Sequence, residues 1–140
     1  MSYVTTKQML LDAQKGGYAV GAFNFENMEM ALAIIAAAEE LRAPVILQTT
    51  PSTVKYASPE VFASIAKALA EKATVPVAVH LDHGSYEHDK KVIANGFSSV
   101  MFDGSHYAID ENIAKTKQII ADAEAKGISV EAEVGAIGGE

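Results

Sequence analysis

The stretch VAVHLDHGSYEHD, Val77 to Asp89, carries an apolar run into two histidines that bracket an aspartate, followed at once by glycine. An apolar, β-branched run of this length reads as a buried strand, and Gly84 permits a sharp turn at its end. Ser85 opens a helical pattern that Gly96 stops. The segment is therefore one strand–helix unit with its chemistry gathered at the strand's carboxyl end.

Working outward, the same unit recurs. On the N-terminal side, a helix begins at Thr5 or Thr6 and ends before Gly16, and Tyr18 to Asn24 reads as strand one. A four-turn helix starts near Met28. Pro44 to Gln48 is a short apolar strand, and Ser58-Pro59-Glu60 predicts an N-cap opening a helix to about Lys72. On the C-terminal side, SSVMF gives strand four, Asp110 to Lys126 a helix, and ISVEAEV strand five. Near-continuously apolar strands alternating with helices imply a parallel sheet covered by helices. Two architectures share that signature. A five-stranded doubly wound sheet fits 140 residues, and periodicity alone favours it. A (β/α)8 barrel needs about 250 residues, so this chain would supply only part of one.

Composition narrows the function. Hydrophobic residues at 49% and charged residues at 21% are ordinary globular usage. A net charge of −7 without a basic stripe argues against nucleic-acid or anionic-membrane partners. There is no cysteine, hence no disulfide framework or thiolate metal site, and a cytoplasmic location is expected. The N-terminus lacks an apolar signal core, and no run of about 18 apolar residues occurs.

In both architectures function collects at the carboxyl ends of parallel strands. Those ends read Asn24, then Gln48-Thr49-Thr50, then His80-Leu81-Asp82-His83, then Asp103, then Glu131 and Glu133. All are polar. A period of two puts His80 and Asp82 on one face, while His83 begins the turn. Imidazole binds borderline cations such as zinc, and a neighbouring carboxylate can move a proton. Zinc sites usually take three protein ligands; of the other histidines, His88 reads as solvated on a helix rather than as a ligand, and His106 suits a backbone contact as well as it suits a metal. Phosphate-cradling glycine motifs and the G-x-S-x-G elbow are absent, and no lysine ends a strand. Carbonyl chemistry here would need a metal as its electrophile.

With those residues in view, the chain resembles the N-terminal half of a class II, metal-dependent ketose-bisphosphate aldolase. GYAVGAFNFEN, APVILQT, VPVAVHLDHG, GFSSVMFDGSH, ENI and GISVEAEVGAIGGE match family blocks in family order. The resemblance reverses the fold preference. It implies a (β/α)8 TIM barrel, with residues 1–140 the N-terminal part of a single domain carrying strands one to five. It also implies reversible cleavage of a fructose or tagatose 1,6-bisphosphate to glycerone phosphate and glyceraldehyde 3-phosphate, zinc acting as Lewis acid. TTPSTVKY after strand two leans slightly toward the tagatose-type enzymes. Carried over by motif, Asp82 is the catalytic acid/base, and His83 a ligand of the catalytic zinc. Asp103 and Glu133 serve a second metal or monovalent-cation position. Thr50 and Asn24 contact substrate, and Glu140 belongs to the same loop region. A homo-oligomer, dimer or tetramer, is implied, acting on a small phosphorylated sugar. The family's other zinc histidines and phosphate loops fall beyond residue 140, so this piece alone is expected to be insoluble or oligomeric, zinc-free and inactive.

Overall fold

A computed structural model describes residues 2–135 of the chain. Strands β1 (Gly21–Asn24), β2 (Val45–Thr49), β3 (Val77–Gly84), β4 (Ser99–Phe102) and β5 (Ser129–Ala132) form one sheet. Every neighbouring pair is parallel, and the spatial order is the sequence order, β1-β2-β3-β4-β5. This order decides between the two architectures. A doubly wound sheet reverses its strand order at a switch point, which puts helices on both faces. A sheet that only ever advances keeps its right-handed crossovers on one face, as the first part of a (β/α)8 barrel does. The doubly wound alternative is therefore corrected: periodicity reports strand and helix but is blind to spatial order.

The two faces differ as the barrel requires. Val45, Leu47, Val77, Val79, Leu81, Val100 and Phe102 point into the main core. The helices over that face are α2 (Met28–Leu41), α4 (Pro59–Ala70), α5 (Tyr86–Ala94) and α6 (Ile109–Glu124). Phe25 and Phe62 meet there edge to face at 5.3 Å, a geometry worth about 1 kcal/mol beyond burial. On the opposite, inner face Ile46 and Ala78 receive Met9 of α1 (Thr6–Gly16). Helix α1 thus closes the floor of the inner face. It is tied down by main-chain bonds from Val77 N to Ser2 O at 2.7 Å and Val4 N to Val77 O at 2.9 Å.

Local differences from the sequence reading have local causes. Strand one starts at Gly21 rather than Tyr18. A short helix, α3 (Pro51–Ala57), was not foreseen, although Thr50 caps it and Pro51 occupies its first position. Ser58 does precede α4, but it makes no side-chain cap bond and sits at φ 71°. It has to end α3 and begin α4 at once, which forces a left-handed backbone that ordinary N-caps avoid. Among the described residues no helix is long and apolar enough to cross a membrane.

Candidate functional site

The carboxyl ends of the five strands converge on one polar rim. The decisive local feature is a bulge in β3. Leu81 pairs with Val100 and Gly84 with Phe102, so two residues of β3 face one of β4. The extra residue is absorbed at His83, which adopts φ 49°, a conformation histidine tolerates better than most side chains. Without the bulge, alternation would send His83 to the face opposite Asp82. With it, both are delivered to the rim.

His83 Nδ1 lies 3.0 Å from Asp103 Oδ2 and 3.5 Å from Glu133 Oε2. Ligand atoms of these three residues all fall within 4.8 Å of one another. Asp103 follows β4, its backbone N–H donating to Gly84 O at 2.9 Å, and Glu133 follows β5, its N–H donating to Phe102 O at 3.3 Å. Each loop is thus clipped to the strand before it. Burial pushes the Asp103 carboxyl upward, but donation from the Ser105 hydroxyl, His83 and the Ser105 N–H outweighs it and holds the group below the usual carboxylate range. Asp103 is therefore an anion at neutral pH. Glu133 is 7% exposed, and its Oε2 accepts no hydrogen bond among the described residues. A buried carboxylate oxygen left in that state costs free energy unless a cation or water meets it. One imidazole, one fixed carboxylate and one unsatisfied buried carboxylate are a donor set that suits a divalent cation of zinc type.

Asp82 stands beside this group. Gln48 Nε2 donates to Asp82 Oδ2 at 2.9 Å and to Asn24 Oδ1 at 2.9 Å, linking β1, β2 and β3 across the rim. Below it, His80 is buried, with Nδ1 2.8 Å from Ser99 Oγ and Nε2 3.9 Å from Glu131 Oε2. Burial drives its pKa down to about 4, so it is neutral. Glu131 is raised by burial first, then by the Asp82 charge.

The expected residues therefore divide. Asp82, His83, Asp103, Glu133 and Asn24 share the rim. Thr50, directly after β2, also caps α3, its hydroxyl accepting from Thr53 N at 3.4 Å. His88 is spent on Ser85 Oγ at 2.8 Å, and His106 lies exposed against the Tyr107 ring. Glu140 lies outside the described residues. Gln48 was legible only as a polar strand end, and its bridging role needed the register of three strands.

A comparison with known proteins matches residues 4–140 to the family described as fructose-bisphosphate aldolase class-II. The chain belongs to that family. A fructose-bisphosphate aldolase of Streptococcus pyogenes serotype M3 is 49% identical over the whole chain, and one of Geobacillus stearothermophilus is 47% identical. The chain covers 49% and 50% of those two relatives, so it spans about half their length. Among solved structures, a putative fructose-1,6-biphosphate aldolase from Coccidioides immitis superposes with TM-score 0.88 at 36% identity. The match covers 96% of this chain and 48% of that one. The YdjI aldolase from Escherichia coli K12 gives TM-score 0.87 at 38% identity, over 95% and 51% of the two chains.

Proposed function

We propose that this chain carries the proton-transfer and cation-holding half of a metal-dependent aldolase acting on a ketose 1,6-bisphosphate. The observation that carries the reading is the convergence of His83, Asp103 and Glu133 within 4.8 Å, beside an Asp82 whose Oδ2 is held by Gln48. His83, Asp103 and Glu133 hold the cation or cations, zinc by donor type, and when bound the metal supplies Lewis-acid polarisation of the substrate ketone.

The chain's own residues do the rest. Gln48 fixes Asp82 by one carboxylate oxygen and leaves Oδ1 for a substrate proton. Asp82 takes the proton of the C4 hydroxyl. The C4 oxygen becomes the aldehyde of glyceraldehyde 3-phosphate as the C3–C4 bond breaks; the electron pair of that bond stays with C3, which takes up one proton so that the other half leaves as glycerone phosphate. In the condensation direction Asp82 returns the proton to the C4 oxygen. Asn24 orients Gln48 and offers its amide to a sugar hydroxyl, and Thr50 lies at the mouth of α3 for the triose-phosphate end. The similarity to fructose-bisphosphate aldolases favours fructose over tagatose 1,6-bisphosphate. The two epimers differ at C4, where Asp82 acts, so their kcat/KM ratio is the specificity readout.

The test is a coupled cleavage assay on the intact protein with and without a chelator, followed by zinc add-back. Activity lost with the metal and restored by zinc is expected. Full activity in metal-free protein would sink the reading.

A further inference from the structure

Two loops must be held at a fixed separation for the rim to work: the one carrying Asp103 after β4 and the one carrying Glu133 after β5. One buried side chain lies between them. Asn112, in the first turn of α6, is 4% exposed. Its Nδ2 donates to the main-chain carbonyl of Glu133 at 2.8 Å, and its Oδ1 accepts from Thr116 Oγ1 at 3.1 Å. On its other side it rests on Gly104, where an added Cβ would overlap the Asn112 amide and the Phe102 ring. Gly104 is the residue directly after Asp103.

We propose that Asn112 is a positioning residue that sets the gap between the Asp103 and Glu133 carboxylates, and through it the cation affinity of the rim. The inference rests on the reading of His83, Asp103 and Glu133 as a cation site. Glu133 lies just past the end of β5, so its carbonyl has left the sheet ladder, and the Asn112 amide gives it a buried donor. Both ends of the amide are committed, and their directions are fixed by chemistry. The NH2 group meets a carbonyl, which can only accept, and the oxygen meets a hydroxyl that donates. No other side chain of that size supplies a donor and an acceptor in these two directions. Aspartate would turn an oxygen toward the Glu133 carbonyl and bury a charge. Leucine would leave the carbonyl an orphan. Close contact with Gly104 means that any rotation of the amide also moves the Asp103 turn. A single side chain thereby couples the two carboxylates that converge on His83 Nδ1.

Partners that orient ligating groups from behind typically change metal affinity by roughly 10- to 100-fold when removed. The experiment titrates cobalt(II) into the zinc-stripped intact protein, reading affinity and the visible cobalt absorption, with thermal melts run alongside. Asn112→Asp is expected to weaken cobalt binding at least about tenfold and to alter the absorption envelope at temperatures well below its melt. Thr116→Val leaves Asn112 in place but removes the hydroxyl that orients it, so it should shift both readouts in the same direction by less. It also serves if Asn112→Asp does not fold. A purely structural Asn112 would lower the melting temperature while leaving affinity and spectrum at wild-type values, and that pattern overturns the inference. Wild-type protein that takes up no cobalt removes the cation site itself and the inference with it. Binding by wild type, matched by both variants, removes only the inference.

Discussion

The Gln48 side chain donates to Asp82 Oδ2 at 2.9 Å, so the carboxylate at the end of β3 is held by an amide that can only give a hydrogen there. The same amide reaches Asn24 at 2.9 Å, and its orientation is fixed from both sides. Replacing it by glutamate would set two carboxylates against each other. A hydrogen bond to a charged group contributes about 1.5–3 kcal/mol, so Gln48→Glu in the intact protein should lower kcat roughly 10- to 100-fold. An unchanged kcat would remove Gln48 from the proton-transfer apparatus.

Asp82 and His83 are adjacent in sequence but should fail differently. Asp82→Ala is expected to cost roughly 10²-fold or more in turnover while bound zinc, read by atomic absorption, stays near wild type. His83→Ala should lose zinc and activity together. If zinc instead leaves with Asp82→Ala, that carboxylate binds the cation and a different proton carrier must be found.

The contrast between these neighbours marks where the sequence was legible. Strand ends are readable because strands stop where polar residues begin, so Asn24, Asp82, Asp103 and Glu133 could be named before any geometry. The common face of His80 and Asp82 followed from a period of two. His83 broke that period, since its arrival at the rim depends on one extra residue in β3 and a backbone at φ 49°, and H-x-D-H-G gives no count of the partner strand. Spatial order of the strands was equally invisible, because each strand–helix unit looks the same whether the next strand is added to one edge or the other. Asn112 and Asp89 stayed hidden for another reason. Both come from helices, where a polar residue normally signals solvent, and only packing against Gly104 and Gly84 gives them their surroundings.

Asp89 supplies a stability prediction with a defined sign. It is fully buried in α5, neither carboxylate oxygen has a hydrogen-bond partner among the described residues, and a Cβ at Gly84 would overlap it. Burial pushes its pKa up to about 8, whereas an unfolded aspartate titrates near roughly 3.9. Between those values the folded chain binds the extra proton. Its stability contribution is complete below about pH 4, declines as pH rises, and is fully lost above about pH 8. His80, lowered to about 4, works in the opposite sense, its destabilising protonation occurring as pH falls from about 6.5 toward 4. Comparing Asp89→Asn with wild type cancels the His80 contribution. In the intact protein the variant should gain progressively from pH 5 to 8, reaching about 3–5 kcal/mol, read by melting temperature and denaturant midpoint. A difference independent of pH would mean that Asp89 does not titrate in this window.

The last prediction concerns residues 1–140 as an isolated polypeptide. Among the described residues β1 and β5 are each paired along one side only, and unpaired edges template association with other chains. The β1 edge adds apolar surface: Phe23 is 53% exposed, and Leu41 of the neighbouring α2 is 75% exposed. Ala19, Gly21, Ala37 and Pro44 line the same hollow. At the other edge Leu10 and Leu11 of α1 and Ile120 of α6 flank a second hollow against β5. Charged residues, which blunt natural edges, are absent from β1, and β5 carries only Glu131. In a closed barrel three further strands and their helices would occupy both surfaces. Without them, residues 1–140 should elute above monomer mass in size-exclusion chromatography with light scattering, bind a hydrophobic dye, and melt without a sharp cooperative transition. Adding the complementary half of a class II aldolase in trans should suppress both the association and the dye binding. A dye-silent monomer with a cooperative melt would mean that these edges are satisfied within the chain, and the half-barrel account of its exposed faces would have to be abandoned.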